Sequence, residues 1–346
     1  MKCYLCAVSF SLLIYVGVAF IASLLTNYLV IDLSHKKGIF IDDHNSLLPQ
    51  KLHEEPTPRI GGLGIFVAIL FMVPEKEIGL YIILCIIPAF LAGFLEDLFA
   101  KISPWRRLLI MSISGGMAIY LINSVVTNFA LFEVPYFIGI LITMVAIIGL
   151  INGANMIDGF NGLSSGVGLI IFLTYAFIAY IVKDFQIFYI SLICVAALSG
   201  FLIFNYPAGK IFLGDGGAYS LGFLLAVISI MLVKRNEDIS PWFVLVCLIY
   251  PVWEVIFSFT RRTFVHKLSP LYPDSKHVHQ LIFRNFTKNR NSATVLFILP
   301  IIMLLNLLAV VSYRNTELLM LLAFSFIFCY TVFYFVYSRK ETQIKP

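Results

Sequence analysis

The sequence predicts an all-α polytopic membrane protein, a single membrane domain over residues 1–346 with about ten to eleven transmembrane helices. Three observations predict it. Apolar runs of membrane-crossing length recur along the whole chain. Charged side chains make up only 12% of the residues, against about 25% in a soluble domain. Lys and Arg collect on one side of the implied topology. A mean hydropathy of +0.94 agrees, since most of such a surface faces lipid or other apolar helices.

A crossing helix needs about 20 mostly apolar residues. On that basis spans are expected at 5–31, 60–74, 77–97, 106–126, 133–151, 162–182, 185–204, 216–233, 241–260, 292–313 and 316–337. The apolar stretch from Cys3 to Val30 is longer than the ~7–15 residues of a secretory signal core and is expected to be the first span. The second is short and begins inside Gly61-Gly62-Leu63-Gly64. The six Cys lie in or beside apolar segments without metal-ligand spacing, which reads as small buried hydrophobes.

Alternating the loops across the membrane places 18 Lys and Arg on the side of the first loop and 6 on the other. By the positive-inside rule the first side is cytosolic, the N-terminus lies outside and the C-terminus inside. Basic residues in short loops between apolar runs suit a membrane surface rather than a nucleic-acid partner. Two cytosolic loops, 32–59 and 261–291, are long and polar, and loops of that length are usually functional. No internal repeat is seen, which argues against an inverted-repeat transporter.

The acidic residues gather at cytosolic helix ends. Glu96-Asp97 end the third span, Asp158 follows the fifth and Asp215 follows the seventh, while Glu254 lies inside the ninth and reads as a brace for its helix. Adjacent carboxylates repel unless a cation lies between them. A hard divalent ion such as Mg²⁺ relieves that repulsion and also binds a diphosphate. For Glu96-Asp97 alone, capping near Arg106 and Arg107 is an equally good reading; with Asp158 and Asp215 on the same side, a site is the better one.

Asn152, Asn155 and Asp158 recur every third residue, so a continued helix sets them on one arc. They offer amides and a carboxylate suited to a nucleobase edge or sugar hydroxyls, while Asn161-Gly162 alone reads as a turn. Phe212-Leu-Gly-Asp-Gly-Gly217 puts glycine-rich backbone before an apolar helix, where amide N–H groups can meet phosphate. Phe212 can stack on a base, although core packing is the default for one Phe among 32. His277 and His279, two apart, do not fit a helical zinc pair but can share one anion in an extended turn. Lys51, His53 and Arg59 bring cationic groups to the mouth of the second span, for a diphosphate or for lipid headgroups.

Thr57-Pro-Arg-Ile-Gly-Gly, Glu96-Asp-Leu with Ile102-Ser-Pro, Asn155-Met-Ile-Asp-Gly, Phe212-Leu-Gly-Asp-Gly-Gly and His277-Val-His together resemble the polyprenyl-phosphate N-acetylhexosamine-1-phosphate transferases. The motifs stand in family order over nearly the whole chain. The resemblance implies a UDP-N-acetylhexosamine donor, an undecaprenyl phosphate acceptor, Mg²⁺ with Mn²⁺ as a substitute, UMP as by-product, and a multi-pass enzyme of the bacterial inner membrane with its site on the cytosolic face. A homodimer is compatible with it.

By the same resemblance Asp215 is the metal ligand. Asp97, Glu96, Asp158, His277 and His279 are catalytic, and Arg59, Asn155, Asn161 and Phe212 bind substrate; Lys51, His53 and Asn152 join the substrate-binding set on their position and residue type. Glu96 stands where the family usually has Asp, and Asn161 where several members have Asp. The second departure and the His-Val-His-Gln motif point to the branch that starts O-antigen or capsule synthesis rather than to peptidoglycan. The rival class is a lipid-linked sugar transporter or flippase, which predicts charged groups near the bilayer midplane.

Overall fold

The computed structural model describes residues 2–41, 57–99, 102–265, 267, 276–288 and 290–344. Thirteen α-helices account for most of them, and no strand occurs among the described residues, as the membrane demands: in lipid each backbone N–H and C=O needs a partner within its own helix. In chain order they are α1 (Lys2–Lys37), α2 (Gly62–Ile69), α3 (Lys76–Phe99), α4 (Pro104–Leu121), α5 (Tyr136–Met156), α6 (Leu163–Ile181), α7 (Phe185–Asn205), α8 (Gly214–Arg235), α9 (Pro241–Cys247), α10 (Ile249–Thr260), α11 (Val278–Asn285), α12 (Asn291–Val311) and α13 (Thr316–Ile344).

All eleven expected apolar runs are helical, but they are not equally able to cross a membrane. Eight are long and apolar enough by themselves, and α9 with α10 makes a ninth as a bent pair. The run expected at 60–74 is an 11-residue apolar helix over Gly62–Met72, too short to span alone. The run expected at 106–126 is α4, whose first turn carries Arg106 and Arg107. The expected long loops also shrink: α1 continues to Lys37, Arg261–Val265 form a π-helical turn, and α11 occupies Val278–Asn285.

Helix α8 is the axis of the bundle. Of its most apolar stretch 94% is buried, against 22% for α1 and α13, which face outward. Small residues let its neighbours close in, the usual basis of helix packing in lipid. A Cβ on Gly93 of α3 would run into the Asp215–Gly216 backbone, and one on Gly222 would meet Leu150 and Ile151 of α5. Pro88 inside α3 is followed by Ala89, whose amide donates to the Ser114 hydroxyl of α4 at 2.8 Å. That bond fastens α4 to α3 two turns above Arg107.

Between α9 and α10 the chain bends by 75° at Leu248. Pro251 is the physical reason: it has no N–H for the Cys247 carbonyl, and its ring crowds that carbonyl. The bend directs α10, with Glu254 on it, against α5, where the Gly153 position lies on the Pro251 carbonyl.

Candidate active site

Two extended strips of backbone build the floor of the site. The Phe212 amide donates to the Pro58 carbonyl (2.8 Å), the Gly61 amide to the Phe212 carbonyl (2.9 Å) and the Gly62 amide to the Leu213 carbonyl (2.8 Å). The Arg59 amide donates to the Phe40 carbonyl at 3.1 Å, so Arg59 is pinned between the end of α1 and the start of α8. The strip then turns into α8 at Gly214, whose φ of +73° suits glycine. A Cβ there would also collide with the Arg59 carbonyl and the Asp97 carboxylate. Two motifs some 150 residues apart in sequence are thereby held side by side.

Asp97 holds the helix end. Its Oδ1 accepts from the Asp215 amide and its Oδ2 from the Gly216 amide, both at 2.9 Å. First-turn amides of a helix lack intrahelical partners, and a carboxylate there also meets the favourable end of the helix dipole. The side chain is 1% exposed, with Arg59 Nε 3.6 Å away. The carboxylate expected to act on substrate thus already serves to orient α8. Glu96 turns toward the α3–α4 connection, where Oε2 accepts from the Ile102 amide (2.9 Å) and Oε1 lies 4.0 Å from Arg107 Nη1.

Asp215 is the centre of the arrangement. Arg59 Nη2 donates to Oδ1 at 3.1 Å and Asn155 Nδ2 to the same oxygen at 3.0 Å. Arg107 Nη1 donates to Oδ2 at 3.2 Å, and the Tyr219 hydroxyl reaches that oxygen at 3.5 Å. Asp158 stands in the turn after α5, and among the described residues its carboxylate accepts no hydrogen bond. Withdrawal from water pushes its carboxyl well above the usual carboxylate range; the nearby Arg59 charge opposes this, and Asp215 and Asp97 add to it.

The expected arc of Asn152, Asn155 and Asp158 is not realised, because α5 ends at Met156. Asn155 reaches Asp215, but Asn152 Nδ2 donates back to the Ile148 carbonyl of its own helix at 2.8 Å. Asn161 is also turned elsewhere: its side chain donates to the Pro207 carbonyl (3.2 Å) and its amide to Asn291 Oδ1 (2.8 Å), tying loops together. Phe212 is half-buried at the mouth, its backbone engaged by the Thr57–Gly62 strip. Lys51 and His53 lie outside the described residues.

The two histidines do face one anion, and it is internal. His277 Nδ1 is 3.0 Å from Glu254 Oε2, and His279 Nδ1 is 3.8 Å from Oε1. The rings stack with centroids 5.2 Å apart, because His277 is still extended and only His279 enters α11. The Tyr250 hydroxyl lies 3.1 Å from His279 Nδ1. Arg261 donates to the Lys276 carbonyl and, at 2.8 Å, to the Tyr334 hydroxyl, which fixes the residue before His277. On its other side His279 Nε2 would be 3.7 Å from a Cβ on Gly159, next to Asp158. The histidine cluster and the Asp158 turn are neighbours.

Sequence reasoning passed over Arg107, Tyr219 and Glu254 as site residues, and it also missed Asn205. The buried Asn205 side chain accepts from the Gly162 amide (2.6 Å) and donates to the Ile211 carbonyl (2.7 Å), so it spans the two loops that carry Asp158 and Asp215. Arg107 had a signal, being a cation in the first turn of a helix on the acidic side. Asn205 had none.

Among the described residues no three His, Cys, Asp or Glu side chains are gathered closely enough to hold a metal by themselves. The donor chemistry still fits Mg²⁺, which commonly takes one or two carboxylates, keeps water and completes its shell with substrate phosphate. Asp215, at the centre of the arrangement, would be such a carboxylate.

Fold and site together define a class: an integral membrane protein that gathers acids and guanidiniums at one end of a helix bundle to handle an anionic group. A family model described as glycosyl transferase family 4 matches residues 79–233, from α3 through α8. The chain is 28% identical over 310 residues to the probable undecaprenyl-phosphate N-acetylglucosaminyl 1-phosphate transferase of Bacillus subtilis (strain 168), covering 84% of this chain and 83% of that one. It is 28% identical over 282 residues to the undecaprenyl-phosphate alpha-N-acetylglucosaminyl 1-phosphate transferase of Thermotoga maritima, with 81% and 84% covered. With the phospho-N-acetylmuramoyl-pentapeptide-transferase of Enterococcus faecalis it shares 34% identity over 244 residues, 62% of this chain and 74% of the relative. The chain belongs to glycosyl transferase family 4 and is a phosphoglycosyltransferase.

Proposed function

We propose that the protein transfers an N-acetylated sugar 1-phosphate from a UDP-sugar to undecaprenyl phosphate, releasing UMP and starting an O-antigen, capsule or other envelope glycan. The observation that carries this reading is the Asp215 centre, where two guanidiniums, an amide and a tyrosine hydroxyl converge on one carboxylate beside a second carboxylate, Asp158. The relatives' names support the lipid acceptor, and those of two of them make N-acetylglucosamine the first sugar to test.

An oxygen of the lipid phosphate attacks the sugar-bearing phosphorus of the donor. A new P–O bond forms, the bond from that phosphorus to the bridging oxygen breaks, and its electron pair leaves with UMP. Such transfers depend on positioning and on neutralising charge rather than on covalent help. Mg²⁺, or Mn²⁺ in its place, held by Asp215, would neutralise diphosphate charge when bound. Arg59 and Arg107 take phosphate oxygens, Phe212 offers a ring to the uracil and Asn155 an amide to the nucleotide. Asp158 accepts the proton of a singly charged acceptor phosphate, a role suited to a carboxyl with a raised pKa. His277 and His279, set by Glu254, stabilise the anion from the Gly159 side. Asp97 acts as a positioning residue that holds Asp215 and the α8 amides in place.

The distribution of Lys and Arg supports a site on the cytosolic face of a bacterial inner membrane, with the N-terminus outside and the C-terminus inside. The test is a donor screen: purified protein in nanodiscs with undecaprenyl phosphate, Mg²⁺ and each of several UDP-N-acetylated sugars. One donor should yield UMP and an organic-extractable sugar in equal amounts. UMP without lipid-linked sugar, or neither product with any donor, sinks the proposal.

A further inference from the structure

Three N–H donors within 3.2 Å, with the Tyr219 hydroxyl at 3.5 Å, crowd the Asp215 carboxylate. A carboxylate offers about four lone-pair positions, two on each oxygen. Here Oδ1 takes Arg59 and Asn155 while Oδ2 takes Arg107 and Tyr219. A Mg²⁺ ion bonds carboxylate oxygen at about 2.0–2.1 Å and therefore needs one of those positions. At that range a divalent charge and a guanidinium on the same carboxylate repel strongly, whereas the neutral Asn155 amide and Tyr219 hydroxyl tolerate it.

The two guanidiniums are also the donors able to leave. The Arg59 side chain is 42% exposed and that of Arg107 is 24% exposed, while Asp215 itself is only 8% exposed. Arg107 has a second carboxylate to fall back on, Glu96 Oε1 at 4.0 Å. Arg59 likewise has Asp97, its Nε being 3.6 Å from Oδ1, and its backbone is held by the Phe40 carbonyl.

We propose that Arg59 and Arg107 are built-in counter-cations of Asp215, which a divalent cation displaces. Its binding delivers both guanidiniums to the anionic substrate. This rests on the reading of Asp215 as the metal-holding carboxylate. In the metal-free protein the arginines keep the buried carboxylate neutralised; once displaced, they are released beside the place where a diphosphate must sit. Divalent cation and nucleotide binding are then linked, and the cation competes with the protein's own side chains.

The experiment uses the full-length protein in nanodiscs, with Mn²⁺ alone followed by electron paramagnetic resonance and UMP binding followed by calorimetry. Removing one competitor should tighten Mn²⁺ binding: Arg107→Gln and Arg59→Gln each bind Mn²⁺ about tenfold more tightly than wild type, a size usual for coupled sites. With Mn²⁺ saturating, the same variants bind UMP about tenfold or more weakly, because a charge-assisted phosphate contact is gone. Arg107→Lys, which restores a charge, returns Mn²⁺ affinity toward the wild-type value, so the effect is separable from misfolding. Wild-type or weaker Mn²⁺ affinity in both Gln variants overturns the exchange. Asp215→Asn tests the underlying reading separately: if it keeps wild-type Mn²⁺ affinity, the metal lies elsewhere, whatever the arginine variants do.

Discussion

Glu254 Oε2 and His277 Nδ1 lie 3.0 Å apart, with side chains 1% and 4% exposed. A pair so far from water is held by its own complementarity, and removing one member leaves the other stranded. Glu254→Ala should therefore lower stability by roughly 3 kcal/mol and disorder both imidazoles. Glu254→Gln, which keeps a hydrogen-bonding group, should lose much less stability but still reduce kcat. Thermal unfolding in detergent together with turnover separates the two effects; equal stability in Glu254→Ala and wild type would contradict this role.

Gly214 and Gly149 make a matched pair. At Gly214 both the left-handed φ and the crowding by Arg59 and Asp97 oppose a side chain; at Gly149, inside α5, a Cβ meets nothing within 4 Å. Gly214→Ala should cost about 2–3 kcal/mol and most of the activity. Gly149→Ala should be neutral or slightly stabilising, by up to about 1 kcal/mol. Similar losses in both would show that α8 does not start as described.

Asp158 carries a sign that can be tested. Its carboxyl is raised in the folded protein, chiefly by withdrawal from water, so the native state holds the proton more tightly than the unfolded chain. That contribution to stability is present below the ordinary carboxyl pKa of about 4 and disappears as pH rises through the raised native value. With a chelator present, Asp158→Asn should raise the melting temperature at neutral pH, remove that part of the pH dependence and abolish turnover. An Asp158→Asn protein that melts below wild type at neutral pH would contradict the assignment of a disfavoured charge.

Asp184 behaves in the opposite sense at the far end of the bundle. Burial pushes its carboxyl up, but bonds from Arg235 at 2.7 and 3.2 Å, the Ile187 amide and Asn236 outweigh this and hold it below the usual range. The stability it contributes is present above about pH 4 and is lost as pH falls through the lower native value. Asp184→Asn should cost about 1 kcal/mol at neutral pH, limited by the partial exposure of Arg235, and should flatten the acid side of the stability curve. An unchanged acid limb would remove Asp184 from the account.

The helices were legible because lipid imposes a long apolar run on each of them, and the cytosolic acids were legible because charge is scarce in such a chain. What the sequence hid was pairing. Arg107 read only as a cation near a Glu96-Asp97 cap, whereas α4, fastened to α3 through Ser114, carries it to Asp215. Glu254 read as a brace because Pro251 marks a break in the helix but not the 75° bend that carries Glu254 to the histidines. Asn152 and Asn161 had the right composition for a site, but each amide finds a nearer carbonyl, Ile148 within α5 and Pro207 in the loop before α8.

The central claim is that Asp215 organises transfer of a sugar phosphate to a lipid phosphate. The direct measurement follows labelled UDP-N-acetylglucosamine, or the donor found by the screen, into undecaprenyl-linked product in nanodiscs with Mg²⁺. Wild type should form the lipid product with one UMP released per sugar transferred, and Asp215→Asn should lose at least about a hundredfold in rate while remaining folded. Transfer by Asp215→Asn at the wild-type rate would contradict the account.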